Sequence, residues 1–500
     1  MSELLGRSPE LLLNLADQPA GSLRHRLRDA IKAAIRTDRL RPGDRLPSTR
    51  TLAVELGVSR GVVIDAYAQL TEEGFLQSRQ GSATTVAEGT AVADTATGLD
   101  NDIDGGPAYG LRSATVDLRP GPPDLSMFPR ATWATATREV LRSLPDSELG
   151  YVTPHGCAAL RAELAAHLSR ARGAMASPRD VTIVSGATQG LTLTAKVLRD
   201  AGHRQLAVES PSNAVQRQVL GRYGLHIVDV AVDDGGLDVE ALRRTSARAV
   251  LVTPAHQYPC GVVLAPARRT ALIRWSEEVD GTIIEDDYDA EFRYDREPVG
   301  CLQGLAPKCV VLVGSVSKTL APGLRLGWVV APPMQQPAIA AAKRDDDFGS
   351  GVLAQHVLAR LLDNGGYDRQ VRRMRRIYRQ RRDDLLRALS HELPDWTVMG
   401  ASAGLHVMVR LPPNLDETEL VVTASDLGIA VQGARSMYGA LDPPWGALVI
   451  GYARPVLGGG IFDVVARLRK AAQIIKAPAS QEGTRREAAA EPRATALDYF

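Results

Sequence analysis

The chain has 500 residues, 44% of them hydrophobic and 23% charged, with a formal net charge of +1. Such a length exceeds one hydrophobic core, so two or more domains are expected, and the even charge balance excludes a global bias toward nucleic acid or membrane. Cys157, Cys260, Cys301 and Cys309 lack metal-ligand spacing, the start MSELLGRSPE lacks the form of a signal peptide, and no segment matches a membrane span, which predicts a reducing cytoplasm.

In chain order, Leu23, Leu27, Ile31 and Ile35 fall at steps of four and predict a helix with arginines on its other face. A Pro42-Gly43 turn follows. Ser48 then caps a short helix through Leu56, Gly57 ends it, and Ser59 caps a further helix, SRGVVIDAYAQL, which gives a helix-turn-helix form. FLQS and ATTVA read as two short strands of a wing. From Arg24 to Arg79 there are eleven basic residues against seven acidic, a local footprint suited to phosphate contacts. The segment LRPGDRLPSTRTLAVELGVSRGVVIDAYAQLTEEGFLQSRQGS resembles the GntR-type winged helix-turn-helix. That resemblance implies a DNA-binding domain over 21–87, with Ser48, Arg50, Ser59 and Arg60 touching DNA. The wing departs from the family pattern, because Ala83 and Thr85 stand where Gly and an aromatic are usual.

Residues 88–114, rich in Ala, Gly, Thr and Asp, read as a flexible linker with a random-coil span of about 30 Å. Beyond it, strand-like runs alternate with helical patterns: VTIVSG, LAVES, LHIVDVAV, AVLVTP, GTIIEDDY, VVLVGS and LRLGWVVA. The alternation predicts an α/β domain over 115–477, with a mostly parallel sheet, helices on both faces, and ligands beyond the strand carboxyl ends. Residues 478–500 read as a disordered tail.

Three of those strand ends carry chemistry. The turn Ser185-Gly186-Ala187-Thr188 opens a helix whose amides suit a phosphate, although such turns are more often only turns. GTIIEDDYD presents Asp286, which can keep a ring nitrogen protonated, with Tyr288 two residues on. Metal binding by Glu285, Asp286 and Asp287 is the rival reading and lacks a supporting His. VVLVGS ends on Ser315, and Ser317 and Lys318 follow, with Arg325 seven residues after the lysine. In a chain poor in lysine, a desolvated Lys beside polar and cationic groups suits Schiff-base chemistry.

Order and spacing resemble the fold type I pyridoxal-phosphate aminotransferases across nearly the whole domain, including their small C-terminal α+β subdomain. The resemblance implies pyridoxal 5'-phosphate as cofactor, Lys318 as its Schiff-base lysine, Asp286 on the ring nitrogen and Tyr288 near the phenolic oxygen. It also implies Ala187, Thr188, Ser315, Ser317 and Arg325 around the phosphate. Tyr151 matches the tyrosine that reaches the neighbouring subunit's phosphate, so a homodimer is expected. Behind a GntR-like head, this layout is similar to the MocR/GabR group of transcriptional regulators. TPAHQYPCGVVL, with His256, Gln257, Pro259 and Gly261, resembles that group's His-Gln-Phe-Pro-Thr-Gly run and puts Tyr258 where catalytic relatives have the ring-oxygen Asn. The helix over Val371–Leu385 has the group's look, and its arginines read as a solvated face.

Two positions depart from the pattern. Asn213 stands where the group has a ring-stacking Tyr, and Val449 where catalytic relatives have the arginine that forks a substrate carboxylate, for which Arg435 or Arg454 is the candidate substitute. The expected function is a cofactor-dependent regulator that binds a two-half-site DNA operator as a dimer and senses the cofactor or a small amine. The alternatives are a working aminotransferase with an appended head, and a DNA binder whose body is a cofactor-free scaffold.

Overall fold

The computed structural model describes residues 22–78, 83–88, 116–151, 153–294, 299–456 and 459–476. The predicted tail, the wing residues 79–82 and all of the predicted linker after Glu88 lie outside the described residues. By contacts the chain divides into two compact units, residues 1–110 and 111–500.

In the first unit, α1 (Leu23–Arg36), α2 (Thr49–Glu55) and α3 (Arg60–Glu72) precede an antiparallel pair, β1 (Leu76–Gln77) and β2 (Thr85–Val86). Leu27, Ile31 and Ile35 are buried as the stripe predicts, but Leu23 is 46% exposed because the small core ends one turn short of it. Ser48 caps α2 through Thr51 N (3.1 Å). Ser59 occupies the N-cap of α3 without a side-chain bond. The buried Tyr67 hydroxyl donates to Pro47 O at 3.0 Å and so pins the start of α2 to α3. The two predicted wing strands shrink to a two-residue ladder, Leu76 opposite Val86 and Gln77 opposite Thr85.

The second unit opens with β3 (Val116–Asp117), α4 (Arg130–Ser143) and α5 (Ala158–Arg172). There follow β4 (Val181–Val184), α6 (Ala187–Asp200), β5 (Gln205–Ser210), α7 (Ala214–Gly221), β6 (His226–Asp233), β7 (Gly236–Leu237), α8 (Val239–Arg243), β8 (Ala249–Val252), α9 (Pro266–Glu278) and β9 (Thr282–Asp287). Then come β10 (Val310–Ser315), β11 (Gly327–Val330), α10 (Gln336–Asp347), α11 (Val352–Asp363) and α12 (Gly366–Glu392). The large sheet has the order β4-β11-β10-β9-β8-β5-β6-β7. Alternate residues serve opposite faces: Val311 and Val313 of β10 pack with α6 and α10, while Leu312 joins α5 and α11. Both faces are covered, as expected for near-continuous apolar strands.

Two strands run against the rest, the short edge strand β7 beside β6 and, inside the sheet, β11. β11 is antiparallel to both β10 and β4. Its amino end therefore shares a sheet edge with the carboxyl ends of β4 and β10. Arg325, which precedes β11, is thereby brought to the edge where β4 and β10 end.

The remaining elements, β12 (Thr397–Met399), β13 (His406–Arg410), α13 (Glu417–Asp426), β14 (Ile429–Ala430), β15 (Gln432–Gly433), β16 (Ala447–Gly451) and α14 (Gly460–Lys476), form the small subdomain. Its antiparallel sheet packs with α12 and α14 around a separate core. β3 pairs with β14, so the chain enters the unit through this subdomain. Of the arginines of α12, Arg372, Arg373, Arg376 and Arg379 are exposed as expected, whereas Arg375, Arg381 and Arg382 are not. Arg375 and Arg382 donate to the carbonyls of Glu291 (2.9 Å) and Ala401 (2.9 Å), and Arg381 reaches Asp124 (2.8 Å), so this face fastens neighbouring segments. Among the described residues, no helix is long and apolar enough to cross a membrane.

Candidate functional site

β9 sorts its three carboxylates by alternation. Glu285 accepts from Leu302 N (3.0 Å) and Gln303 N (3.1 Å), and Asp287 takes a two-point contact from the buried Arg172 (2.8 and 2.9 Å). Asp286 faces the other way. Its Oδ2 accepts from Gln216 Nε2 at 2.8 Å, while Oδ1 is buried with no hydrogen-bond partner. Burial pushes the Asp286 carboxyl up to about 6, with Asp287 and Asp289 adding to the rise and Gln216 and Lys318 opposing it. The divergence of the three side chains counts against a shared metal at this triplet.

Lys318 follows β10 by three residues, and its Nζ donates to Gly121 O at 2.7 Å. Burial lowers the lysine's pKa, and the carboxylates of Asp289 and Asp286 work against that shift. The lysine nitrogen is thus both desolvated and within the field of Asp286. Ser315 ends β10, and its hydroxyl accepts weakly from Ser317 N at 3.4 Å. Across the sheet edge, Arg325 sits in a left-handed conformation (φ 50°) before β11 and donates to Ser185 O. A Cβ on Gly186 (φ +88°) would stand 3.0 Å from the Arg325 guanidinium. Only glycine lets the arginine lie against this turn. Ala187 and Thr188 begin α6 directly beyond it, with first-turn amides that have no partner inside the helix.

On the remaining side lie two tyrosines. Tyr288 Oη donates to His256 O at 3.0 Å and lies 2.9 Å from His256 Nδ1. Nδ1 also meets Asp289 Oδ2 at 3.0 Å, and because a carboxylate only accepts, the proton sits on Nδ1. The Tyr258 ring stands edge-on to Tyr288 at 6.0 Å and to His406 at 5.0 Å. Donor atoms of His256, Asp289 and His406 lie within 4.8 Å of one another. His406 Nε2 is already given to Pro259 O (3.2 Å) and His256 Nδ1 to Asp289, so the cluster is a hydrogen-bonded brace behind Tyr288.

One sheet edge therefore gathers Lys318, Asp286, Ser315, Ser317, Arg325, Ala187 and Thr188, with Tyr288 and Tyr258 beside them. Tyr151 is fully exposed and is not part of this cluster. Asn213 caps α7 by accepting from Gln216 N (3.1 Å), a structural use of the position expected to face the ring. Val449 is buried in β16 between Met408 and Gln432. Arg454 is tied to Asp117 (2.8 Å) and Arg119 O (2.8 Å), which removes it as the carboxylate fork. Arg435 remains exposed on the turn 435–437. Sequence reasoning missed Gln216, Asp289 and Gly121, which reach the site from 70, 33 and 197 residues away from their partners. No local pattern marks such contacts.

An arrangement of this kind fits pyridoxal phosphate. A buried carboxylate oxygen without a donor awaits a protonated ring nitrogen, a desolvated amine stands beside it, and a guanidinium lies across an open glycine turn.

In the first unit, Ser48, Arg50, Ser59 and Arg60 are all exposed. Arg60 Nε donates to Thr49 Oγ1 at 3.3 Å, which brings the starts of α2 and α3, and with them all four residues, to one end of the unit.

The family model for aminotransferase class I and II matches residues 121–446, and that for bacterial regulatory proteins of the gntR family matches residues 23–86. The chain is 34% identical over 418 residues to the HTH-type pyridoxine biosynthesis transcriptional regulator PdxR of Corynebacterium glutamicum, covering 84% of this chain and 89% of that one. It is 32% identical over 454 residues to the probable rhizopine catabolism regulatory protein MocR of Rhizobium meliloti, covering 87% and 91%. Among solved structures, a Pyrococcus horikoshii kynurenine aminotransferase in complex with PMP is similar with a TM-score of 0.66 and 26% identity, over 73% of this chain and 92% of that one.

Proposed function

Because the chain belongs to the MocR-type family of transcriptional regulators, in which a gntR-family DNA-binding head precedes an aminotransferase class I and II domain, we propose that its large unit holds pyridoxal phosphate at Lys318 and that occupancy of this site governs how the heads engage DNA. The observation that carries the cofactor assignment is the buried, partnerless Oδ1 of Asp286 within the field of a desolvated Lys318.

When bound, the cofactor supplies a carbonyl for amines to condense with and an electron-withdrawing ring. Everything else falls to the protein. Asp286 holds a proton on the ring nitrogen, with Gln216 fixing the carboxylate's second oxygen. Tyr288, braced by His256 and Asp289, and Tyr258 border the phenolic side. The Ala187 and Thr188 amides, Ser315, Ser317 and Arg325 take the phosphate, a dianion suited to a helix amino end and a guanidinium. Tyr151, exposed on its own protomer, serves the neighbour's phosphate in a homodimer. The predicted linker over 88–114 joins the two units, and the four exposed residues at the starts of α2 and α3 meet DNA.

Sustained transamination is the weaker reading. Val449 is apolar and buried where a catalytic relative needs an arginine, and Arg454 is engaged elsewhere, which leaves an α-carboxylate the exposed Arg435 as its one remaining candidate fork of the two. The sensed compound is the cofactor itself or a small amine.

The test is the absorbance spectrum of purified protein after pyridoxal phosphate is added and the excess removed, beside a Lys318→Ala variant. A visible band in the parent that is lost in the variant is expected. Its absence from both would leave the large unit a scaffold, and turnover at enzyme rates with amino-acid and keto-acid pairs would overturn the regulator reading.

A further inference from the structure

Behind the phosphate turn lies a polar network that the cofactor assignment leaves unused. Lys343 of α10 is fully buried, a rare state for a lysine. Its Nζ contacts Gln189 Oε1 (3.0 Å), Ser350 Oγ (3.0 Å) and Asp347 Oδ2 (2.5 Å), which uses all three ammonium donors. Gln189 Oε1 also accepts from Ser185 N (2.7 Å), and its Nε2 donates to Asp346 (2.5 Å) and Asp347 (2.9 Å). Finally, Ser350 Oγ stands 3.3 Å from Ser185 Oγ.

Donor and acceptor rules fix the direction of this chain. An ammonium can only donate, so Ser350 Oγ accepts from Lys343. Ser350 is 7% exposed, and the other hydroxyl within reach of its Oγ is that of Ser185. If Ser185 donated to it, the Ser350 proton would be buried without an acceptor, at a cost comparable to a lost hydrogen bond. Ser350 therefore donates to Ser185, and the Ser185 hydrogen points outward. The Ser185 amide is already spent on Gln189, so this hydroxyl is what the residue has left to offer an anion at the turn. Gln355, itself fully buried, holds Ser350 in register by donating to Ser350 O at 2.8 Å. Lys343 also pairs Asp347 and so offsets its charge.

We propose that Lys343 and Ser350 are positioning residues for the phosphate end of the cofactor, polarising a hydroxyl relay so that Ser185 presents its O–H to the anion. The inference rests on the cofactor reading given above. Its signature is selectivity for the phosphate: the relay has no part in the reaction of Lys318 with the cofactor's carbonyl.

Parent, Ser350→Ala and Lys343→Met proteins are titrated with pyridoxal phosphate and, separately, with pyridoxal, which lacks the phosphate, following the Lys318-dependent visible band. Ser350→Ala should weaken pyridoxal phosphate about tenfold, the scale of one hydrogen bond to a charged group, and leave the pyridoxal curve unmoved. Inorganic phosphate should compete less well against pyridoxal phosphate in that variant. Lys343→Met should lose more, and melting curves show whether it remains folded; Ser350→Ala keeps the Lys343–Asp347 pair and carries the test if it does not. Binding of pyridoxal phosphate to Ser350→Ala within about twofold of the parent would overturn the relay. An equal loss toward pyridoxal would overturn it too, because that marks general damage to the site. A parent with no band would instead sink the cofactor reading, and this inference with it.

Discussion

Asp286 shows what a cofactor site costs a chain that lacks its ligand. Its carboxyl has an ordinary value of 3.8 and is raised to about 6 by burial. The folded chain therefore binds this proton more tightly than the unfolded one. That contribution to stability is complete below the ordinary value and is lost as pH rises through about 6. Cofactor-free parent protein should lose about 1 kcal/mol relative to Asp286→Asn between pH 5 and pH 7, read as the pH dependence of the difference in their unfolding midpoints. Buried histidines such as His406, whose pKa burial lowers, tilt both proteins alike and cancel in the difference. With cofactor the order reverses, because an amide cannot keep the ring nitrogen protonated: Asp286→Asn should bind pyridoxal phosphate roughly ten- to a hundredfold more weakly, measured from the visible band.

The starts of α6, α2 and α3 carry the proposed work of the chain, and the first two depend on an element-level detail. α6 can approach the sheet only because residue 190 is glycine: a Cβ there would stand 2.9 Å from both Val313 Cγ1 and Val329 Cγ2. Gly190→Ala should cost about 1–3 kcal/mol through overpacking despite alanine's better helix propensity, seen as a lower melting temperature of the large unit. In the head, Ser48→Ala removes the cap of α2 and should cost about 1 kcal/mol, measured by the head's unfolding transition. Such local devices are legible in sequence. Ser48 before a short apolar run, Lys318 after a buried strand and Asp286 inside GTIIEDDY declare themselves because the signal and the structure lie within a few residues. The resemblance to known families carried the rest of the expected site. What stayed hidden depends on strand order and packing. Nothing near Arg325 says that β11 runs backwards, nothing near Gln216 points to Asp286, and Arg375 and Arg382 of α12 look solvated until the carbonyls that receive them are in place. Asn213 was legible as a departure, yet its use as a helix cap emerges only from the fold.

At the scale of the whole molecule, a DNA-binding head and the proposed ligand-holding body on one chain would gain regulatory meaning from pairing. A dimer brings two heads, so a duplex with two half-sites should bind more tightly than one with a single half-site, and sedimentation of the full chain should give twice the monomer mass. Arg60→Ala should weaken binding to every sequence and lower the salt slope of the affinity by about one if its partner is a phosphate, as band-shift titrations across salt concentration would show. The bond from Lys318 to Gly121 bears on how the body reports its state. Gly121 lies five residues after Val116, where β3 joins β14 and the chain from the head enters the body. The lysine nitrogen can serve the Gly121 carbonyl or a bound carbonyl carbon, not both. Filling the proposed site would thus be an exchange of tenants: whatever captures Lys318 evicts one anchor of the segment that leads back toward the DNA-binding end of the chain.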